Sequence, residues 1–309
     1  MADVAQAQAP AAGEVTLDHV AHFVPHLDAA SDALERLGFL LTPFSAQSHR
    51  QEPGGPVVPA GTANRCVMLQ RGYLEFLTPI GDTGVANQLR IAIKRYVGVQ
   101  SIVFGTSAPD ADHARLERAG FAPLPPVALQ REIATTRDVQ TARFTVVRTP
   151  PDTMPEGRIQ YCEHLTPQLL WQERWLAHPN RAVALRGVFV CVADPPEAAL
   201  RYARYTGLLA EAIGGVRRIA TGRGWLLFLD PAALGRGLDL EPPCLPWIAG
   251  CALESDQPEA TAHYLRRSGE RVDALGDERL LVRLPPELGG CIVFQAGNSG
   301  PLSFELRNR

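Results

Sequence analysis

The chain repeats its own pattern, and this repeat limits the folds that it can adopt. The segment LERLGF at residues 34–39 recurs as LERAGF at residues 116–121, an offset of 82 residues. In both copies an alternating apolar segment comes first, and an Asp stands where a helix would begin. Gly38 and Gly120 then suit the left-handed residue that ends a helix. Each copy therefore predicts a strand followed by a helix.

A second pair of similar segments closes each repeat unit. The segment YLEFLTP at residues 73–79 recurs as YCEHLTP at residues 161–167, an offset of 88 residues. Two further strand-like segments lie between the helix and this closing segment in each copy, so each unit consists of a strand, a helix and three strands. The same order recurs more faintly in residues 185–309. We therefore predict an α+β fold made of four βαβββ modules.

The modules predict a short tail and two domains. Residues 1–14 are rich in Ala, Gln and Pro and predict a disordered tail. Residues 15–181 hold the first two modules, and residues 182–309 hold the last two. When two such modules pair, their sheets form an incomplete barrel whose concave face is a cleft. The first and last strands of each module converge at its centre, where we expect the functional site.

Composition argues against several classes of function. The 30 Lys and Arg residues against 33 Asp and Glu residues give a formal charge of −3, and the absence of a long basic run argues against nucleic acid or an anionic membrane as a partner. No apolar stretch reaches the roughly 18 residues that a membrane-spanning helix needs. The six scattered cysteines are typical of reduced thiols. We expect a cytoplasmic protein with a small-molecule substrate, and the sequence leaves open a homodimer.

A set of short motifs in the first module occurs in a characteristic order. The motifs are LDHV at 17–20, LDAA at 27–30, LGF at 37–39, SH at 48–49, GTAN at 61–64 and YLE at 73–75. This set resembles the vicinal oxygen chelate superfamily and, within it, the glyoxalase-like domain. The resemblance implies two glyoxalase/extradiol-dioxygenase-like halves, of which the second is supported by pattern alone.

The resemblance also implies a metal site. In that superfamily the first strand of a module supplies a ligand, often His, and the last strand supplies Glu or Gln. His19 and Glu75 occupy these places and would hold one divalent ion, namely Zn, Fe, Mn, Ni or Co. An incompletely coordinated ion is a Lewis acid for a small organic carbonyl or vicinal-oxygen substrate, in lyase, isomerase or dioxygenase chemistry. Glu75 is then also a candidate catalytic carboxylate.

The second module departs from the superfamily pattern. The residue 82 positions after the first-strand histidine is Ser101, a poor metal ligand, while the closing strand offers Glu163 and His164 as further ligands. Strand alternation favours Glu163 in the cleft, where it would also be a catalytic carboxylate, and places His164 behind the sheet unless a bulge re-aims it. Gly187 and Ala249 take the place of the histidine in the last two modules. The second half is therefore predicted to be a degenerate copy.

Four more residues are candidate substrate-binding groups. His49 and Asn64 would flank the cleft with polar groups, and Arg65 would hold a substrate carboxylate. Tyr161 would donate a proton near the metal. The missing ligand at Ser101 also favours a second hypothesis, in which a metal-free protein sequesters a small apolar or aromatic compound in the same cleft.

Overall fold

The fold was derived from a computed structural model. It describes residues 2–50, 55–276, 278–297, 299, 302 and 304, and for residues 2, 3, 49 and 50 it describes the backbone alone. Within these residues no helix is both long enough and apolar enough to cross a bilayer.

The first half contains two βαβββ modules. A short helix precedes them, α1 (Ala2–Gln6). The first module comprises β1 (Thr16–Phe23), α2 (Leu27–Arg36), β2 (Ser45–Arg50), β3 (Val57–Met68) and β4 (Tyr73–Pro79). A linking helix, α3 (Gly84–Arg95), leads to β5 (Gly98–Gly105), α4 (Pro109–Arg118), β6 (Val127–Ala134), β7 (Val139–Arg148) and β8 (Arg158–His164). The half ends with α5 (Pro167–Leu170) and a 3₁₀ turn (Glu173–Trp175).

The second half repeats this order. Its first module comprises β9 (Ala182–Cys191), α6 (Pro195–Thr206), β10 (Ala210–Ile213), β11 (Val216–Ala220) and β12 (Trp225–Leu229). After a linking helix, α7 (Pro231–Leu238), come β13 (Trp247–Ser255), α8 (Pro258–Arg267), β14 (Val272–Gly276), β15 (Arg279–Arg283) and β16 (Cys291–Ala296). The predicted α+β class and the four βαβββ modules are confirmed.

The module helices end as the sequence predicts. Gly38, Gly120, Gly207 and Gly269 follow α2, α4, α6 and α8, and each has a φ between +75° and +84°. An L side chain is strained at such angles, so glycine is the favoured residue after the last helical turn. Because a glycine ends each module helix, the repeat can be recognised in the sequence.

The first half forms a closed barrel instead of the predicted incomplete one. Its strands follow the order β1-β4-β3-β2-β6-β7-β8-β5, with β1 and β5 paired antiparallel. The second closing contact is between β2 and β6, where Ser48 pairs with Gln130. Closure removes both free sheet edges and turns the predicted cleft into an interior cavity.

The second half forms an open eight-stranded sheet with an apolar cluster on the face that includes Phe189 and Trp225. Its order is β10-β11-β12-β9-β13-β16-β15-β14. Gly187 pairs with Trp225 as His19 pairs with Tyr73 in the first module. A Cβ at Gly187 would lie 2.2 Å from the Trp225 ring, so this ring fills the space of a first-strand ligand. The Trp225 ring therefore leaves no room for a side chain at position 187.

One apolar core joins the two halves. Leu34 of α2 and Leu116 of α4 pack in the same cluster as Tyr202 of α6 and Leu265 of α8. Tyr205 strengthens this junction because its hydroxyl donates a hydrogen bond of 2.9 Å to the carbonyl of Ile159 in β8. The second half therefore supports the outer wall of the barrel.

The segment before β1 differs from the predicted disordered tail. Residues 2–6 form α1, and Ala5 and Gln8 are buried. The Gln8 amide donates to the carbonyl of Gln70 at 2.7 Å and accepts from the N–H of Gly72 at 3.2 Å. Composition alone does not reveal this docking, because it depends on backbone groups more than 60 residues away.

Candidate functional site

His19 lies near the middle of β1, directly after a β-bulge. The pairing of β1 with β5 shifts register between Leu17 and His19, so Asp18 is the extra residue. A bulge re-aims side chains that would otherwise alternate, and here it brings Asp18 Oδ2 within 2.6 Å of His19 Nδ1. Gly72, with a φ of +73°, leaves room for this arrangement, since a Cβ there would lie 2.6 Å from the Asp18 carbonyl oxygen.

Asp18 joins two imidazole rings. Its Oδ2 also lies 2.9 Å from Nε2 of His164, and its side chain is fully buried. Burial alone would raise the pKa of Asp18, but attraction and hydrogen bonding to His164 and His19 hold it well below its ordinary value. An ionised carboxylate can only accept hydrogen bonds, so His19 carries a proton on Nδ1. The lone pair of neutral His19 is therefore on Nε2, the nitrogen remote from Asp18.

Tyr73, the first residue of β4, stacks on His19. The ring centroids are 4.1 Å apart with 18° between the planes, and the Tyr73 hydroxyl lies 3.3 Å from His19 Nε2. Burial raises the pKa of Tyr73 well above its ordinary value, so the phenol stays protonated. Trp171 contacts the Tyr73 ring edge-on at 5.8 Å. These contacts fix the imidazole and place a proton donor beside it.

Glu75 lies two residues further along β4 and therefore faces the same side. Its Oε1 accepts hydrogen bonds from the side-chain amides of Asn64 and Gln47, and Asn64 in turn accepts one from Arg131 at 3.1 Å. Its Oε2 lies 3.9 Å from His19 Nε2. One carboxylate oxygen is thus held in place, and the other is directed towards the histidine.

These side chains line a cavity inside the barrel. Its volume is about 300 Å³, at the small end of the range for small-molecule sites. His19, Tyr73, Glu75 and Gln160 contribute polar groups to its wall. The apolar part of the wall is formed by Leu77, Val85, Leu129, Phe144 and Val146. The cavity can therefore hold a small organic molecule with both polar and apolar parts.

The closing strand of the second module has a different register from the one that the sequence repeat suggests. In the first module Ala21 pairs with Glu75, and in the second module Val103, 82 positions later, pairs with Gln160. Gln160 is therefore the counterpart of Glu75, three residues before Glu163. A shift by an odd number of residues moves every side chain to the other face of a strand.

This shift reverses the predicted orientations in β8. Arg158, Gln160 and Cys162 line the cavity, and His164 reaches Asp18. Glu163 and Tyr161 alternate with these residues and lie on the outer face, where Tyr161 stacks on a tyrosine of α6 at 5.6 Å. The structure therefore does not place Glu163 in the cleft as a ligand or catalytic carboxylate, nor Tyr161 as a substrate-binding group.

The remaining sequence candidates have mixed positions. Asn64 is buried and holds Glu75, whereas Arg65 follows it in β3, lies on the opposite face and is not part of the cavity wall. Ser101 is buried, and its hydroxyl donates a hydrogen bond of 2.8 Å to the Arg158 carbonyl. The backbone of His49 belongs to β2, but its side chain lies outside the described residues.

The second half contributes a cation behind Asp18. The Arg223 carbonyl, in the turn before β12, accepts a hydrogen bond of 2.8 Å from the N–H of Leu17. The Arg223 guanidinium Nη2 lies 3.9 Å from Asp18 Oδ1, the carboxylate oxygen that is not bonded to histidine. The second half thus takes part in the electrostatics of the site.

The sequence of residues 17–206, more than half of the chain, matches a family model described as a glyoxalase-like domain. The chain belongs to this family. The residues of this glyoxalase-like protein that match the family model begin in β1, include the rest of the barrel and continue through β9 to the end of α6. It confirms the family predicted from the motifs of the first module, within the vicinal oxygen chelate superfamily. No curated protein matches the sequence.

Solved structures share the fold at low sequence identity. A hypothetical protein from Staphylococcus aureus has a TM-score of 0.60 at 10% identity, covering 91% of this chain and 99% of the other. A mutant of 4-hydroxymandelate synthase from Streptomyces coelicolor has a TM-score of 0.55 at 16% identity, covering 94% and 95%. A xylose isomerase-like TIM barrel/4-hydroxyphenylpyruvate dioxygenase fusion protein has a TM-score of 0.59 at 11% identity, covering 95% and 51%. The likeness supports the two-half architecture.

Two groups of side chains in this glyoxalase-like barrel are candidates for holding a divalent ion. In the first group Asp18, His19 and His164 bring one ligand atom each within 4.8 Å of one another. Two hydrogen bonds already join these atoms, and the Arg223 guanidinium on the far side of Asp18 would repel a cation. This group better fits the outer layer that orients a metal-bound histidine.

The second group consists of His19 Nε2 and Glu75 Oε2. One imidazole nitrogen and one carboxylate oxygen, with the Gln160 amide on the same cavity wall, form a donor set that suits Zn, Fe, Mn, Ni or Co. Asp18 on the far nitrogen of His19 is the usual partner of a metal-bound imidazole. The residues present thus fit an ion that has positions left for a substrate.

Sequence reasoning missed several residues of the site. Asp18 was not among the sequence candidates, and Gln160 was hidden by the repeat alignment that matched Glu75 with Glu163. A signal for Gln160 was present, because Arg158 and Gln160 alternate with the apolar Ile159. Strands of a barrel whose outer face is covered by helices carry apolar residues outwards, so this alternation marks the polar residues as inward-facing.

Proposed function

We propose that the barrel cavity is the active site of a metal-dependent enzyme acting on a small organic carbonyl or vicinal-oxygen substrate. His19 and Glu75 would hold the divalent ion, with Gln160 as a further ligand. The observation that carries the proposal is the 3.9 Å separation of His19 Nε2 and Glu75 Oε2 in one cavity. When bound, the ion would polarise a substrate carbonyl or two neighbouring oxygens.

The chain's own residues have distinct tasks in this proposal. Asp18 keeps the lone pair of His19 on Nε2, where the Tyr73 hydroxyl lies 3.3 Å away. If an ion takes that lone pair, the hydroxyl would be free to donate a hydrogen bond to a substrate oxygen. Glu75 Oε2 either ligates the ion or accepts a proton from the substrate, while its other oxygen stays fixed by Asn64. Lyase, isomerase and dioxygenase reactions can all begin from a substrate held in this way.

The neutral state of the cavity thiol argues against cysteine chemistry. Cys162 lines the cavity, but burial raises its pKa well above the ordinary value. A thiol is a nucleophile or a metal ligand in its deprotonated form, which burial disfavours. The proposed function therefore assigns no catalytic role to Cys162.

Metal uptake tests the proposal directly. Purified protein is dialysed against Zn²⁺, Mn²⁺, Fe²⁺, Co²⁺ or Ni²⁺ and its metal content is measured. We expect one ion per chain in the wild type and a loss of that ion in His19→Ala and Glu75→Gln. His26→Ala, at an exposed position, and Glu163→Gln, on the outer face of β8, are the matched controls. A wild type without bound metal, or variants that retain it, would falsify the proposal.

The metal-free alternative rests on Ser101. Its hydroxyl donates a hydrogen bond to the Arg158 carbonyl, so the first strand of the second module offers no metal ligand at this position. In this alternative the cavity sequesters a small apolar or aromatic compound without chemistry. A double variant with His19→Ala and Glu75→Gln would then keep the wild-type affinity for aromatic compounds found by a thermal-shift screen. A loss of affinity that parallels the loss of metal favours the enzyme.

A further inference from the structure

The cavity wall carries more positive than negative charge. Arg131, Arg148 and Arg158 line it, from three neighbouring strands, whereas Glu75 is the one carboxylate in that wall among the described residues. Arginine stays charged at neutral pH. A pocket of this kind favours an anion, because low-dielectric walls strengthen the attraction.

Arg131 is already used by the protein. It donates to Asn64, which holds Glu75, and its guanidinium lies 5.6 Å from the centre of the Phe144 ring. Its positive charge therefore stabilises the hydrogen-bonded group formed with Asn64 and Glu75. Arg148 and Arg158 are therefore the candidates for binding an anionic ligand.

Arg148 and Arg158 are not held in close ion pairs among the described residues. Neither guanidinium group takes part in an ion pair or a hydrogen bond there, and Arg148 Nε is buried without a partner. The Arg158 guanidinium lies over the face of the Phe23 ring, 5.3 Å from its centre. Burial lowers the pKa of both groups; for Arg158 the attraction of Glu75 opposes this shift, and the repulsion of Arg148 adds to it. Two half-buried cations that share the Glu75 carboxylate of the cavity wall favour a ligand that supplies further negative charge.

The sheet brings these two side chains to one place. Arg148 pairs with Gln160 across β7 and β8, and Arg158 stands two residues before Gln160 on the same face. Such diagonal neighbours are close enough for long side chains to act together. An anion between the two guanidinium groups would therefore be held by charge-assisted hydrogen bonds.

The two arginines and the His19–Tyr73 pair lie towards opposite ends of the barrel cavity. Arg158 begins β8 beside Phe23, at the end of the barrel that α3 covers, whereas Tyr73 and His19 lie towards the end closed by Trp171. Glu75 stands in β4 between Tyr73 and Leu77, which packs with Phe23, and so lies between these ends. A ligand anchored on the arginines would extend past Glu75 towards His19.

We propose that the ligand of the cavity is a small organic oxyanion, with its carboxylate or phosphoryl group held between Arg148 and Arg158. Its apolar body would lie against Leu129, Phe144 and Val146 and reach Glu75 and His19. This inference rests on the proposed function in one respect, namely that the cavity is the substrate site.

Calorimetric titration of the full chain tests the inference. Benzoate and phenylphosphonate represent the two oxyanion classes, and benzamide is the uncharged control. A chelator is present so that a carboxylate cannot bind to an ion. We expect at least one of the two anions to bind at least about 10-fold more tightly than benzamide, and the one that binds identifies the class. Equal affinity for all three compounds, or no binding of either anion, overturns the inference.

Variants locate the anion. Arg148→Met and Arg158→Met keep the aliphatic stem and should each weaken anion binding about 10- to 100-fold, the range of a charge-assisted hydrogen bond. The corresponding Lys variants keep the charge without the planar fork and should lie in between. Arg65→Met, in the same barrel but outside the cavity wall, is the matched control. If both Met variants bind the anion with unchanged affinity, the anion does not bind between Arg148 and Arg158 and the proposal is refuted.

Two readouts separate this inference from the proposed function. The Arg→Met variants should retain the bound metal, whereas His19→Ala should lose the metal and still bind the anion. If metal uptake fails but the anion binds, only the metal-dependent function is wrong. If metal binds but the anion does not, only the substrate class is wrong.

Discussion

The His22 imidazole makes the stability of the protein depend on pH. It lies on the opposite face of β1 from His19, fully buried and stacked on Phe76 with 4.7 Å between ring centroids. Neither ring nitrogen has a hydrogen-bond partner among the described residues. Burial lowers the pKa of His22 from 6.5 to about 3. The folded protein therefore keeps this imidazole neutral well below pH 6.5.

The size of the effect follows from proton linkage. Between pH 6.5 and 3 the unfolded chain binds a proton at His22 and the folded protein does not, so the free energy of unfolding falls as the pH falls. Each pH unit in that range costs about 1.4 kcal/mol, and between pH 7 and 5 the loss is about 2 kcal/mol. The stability is fully present above pH 6.5.

Urea unfolding of the wild type and of His22→Phe at pH 7 and pH 5, with a chelator present, measures this loss. The aromatic replacement keeps the stacking on Phe76 and sacrifices no hydrogen bond in the described structure. The wild type should lose about 2 kcal/mol more than the variant. His178, whose pKa is also lowered by burial, contributes equally to both proteins and cancels. Equal losses in the two proteins would refute the argument.

Two further substitutions test the site and the packing of the second half. Asp18→Asn can keep both hydrogen bonds but loses the charge behind His19, so metal affinity measured against a competing chelator should fall roughly 10- to 100-fold; an unchanged affinity would show that Asp18 does not tune the ligand. Gly187→Ala would place a Cβ 2.2 Å from the Trp225 ring and should lower the free energy of unfolding by roughly 1–3 kcal/mol. Gly84→Ala, with open space around it, is the control; equal stability of the two variants would contradict the packing argument.

The sequence by itself determined the modular architecture. The repeat of an alternating strand, a helix and a terminating glycine is local information, because each signal depends on residues a few positions apart. This is why Gly38 and Gly120 marked the helix ends correctly. The same local alternation placed His19 and Glu75 on the first and last strands of one module, where strand pairing brings their side chains to one side.

Only the tertiary structure decided which side chains share the cavity. The bulge at Asp18 and the register of β8 are set by hydrogen bonds to strands far away in the sequence. The bulge leaves no local mark, and the alternation around Ile159 indicates the inner face of β8 but not its register. One extra residue or a three-residue slip exchanges the inner and outer faces, as it does for Glu163 and His164. Arg148 and Arg158 likewise come together because Arg148 pairs with Gln160, two residues after Arg158. Sequence periodicity alone does not specify this register between β7 and β8.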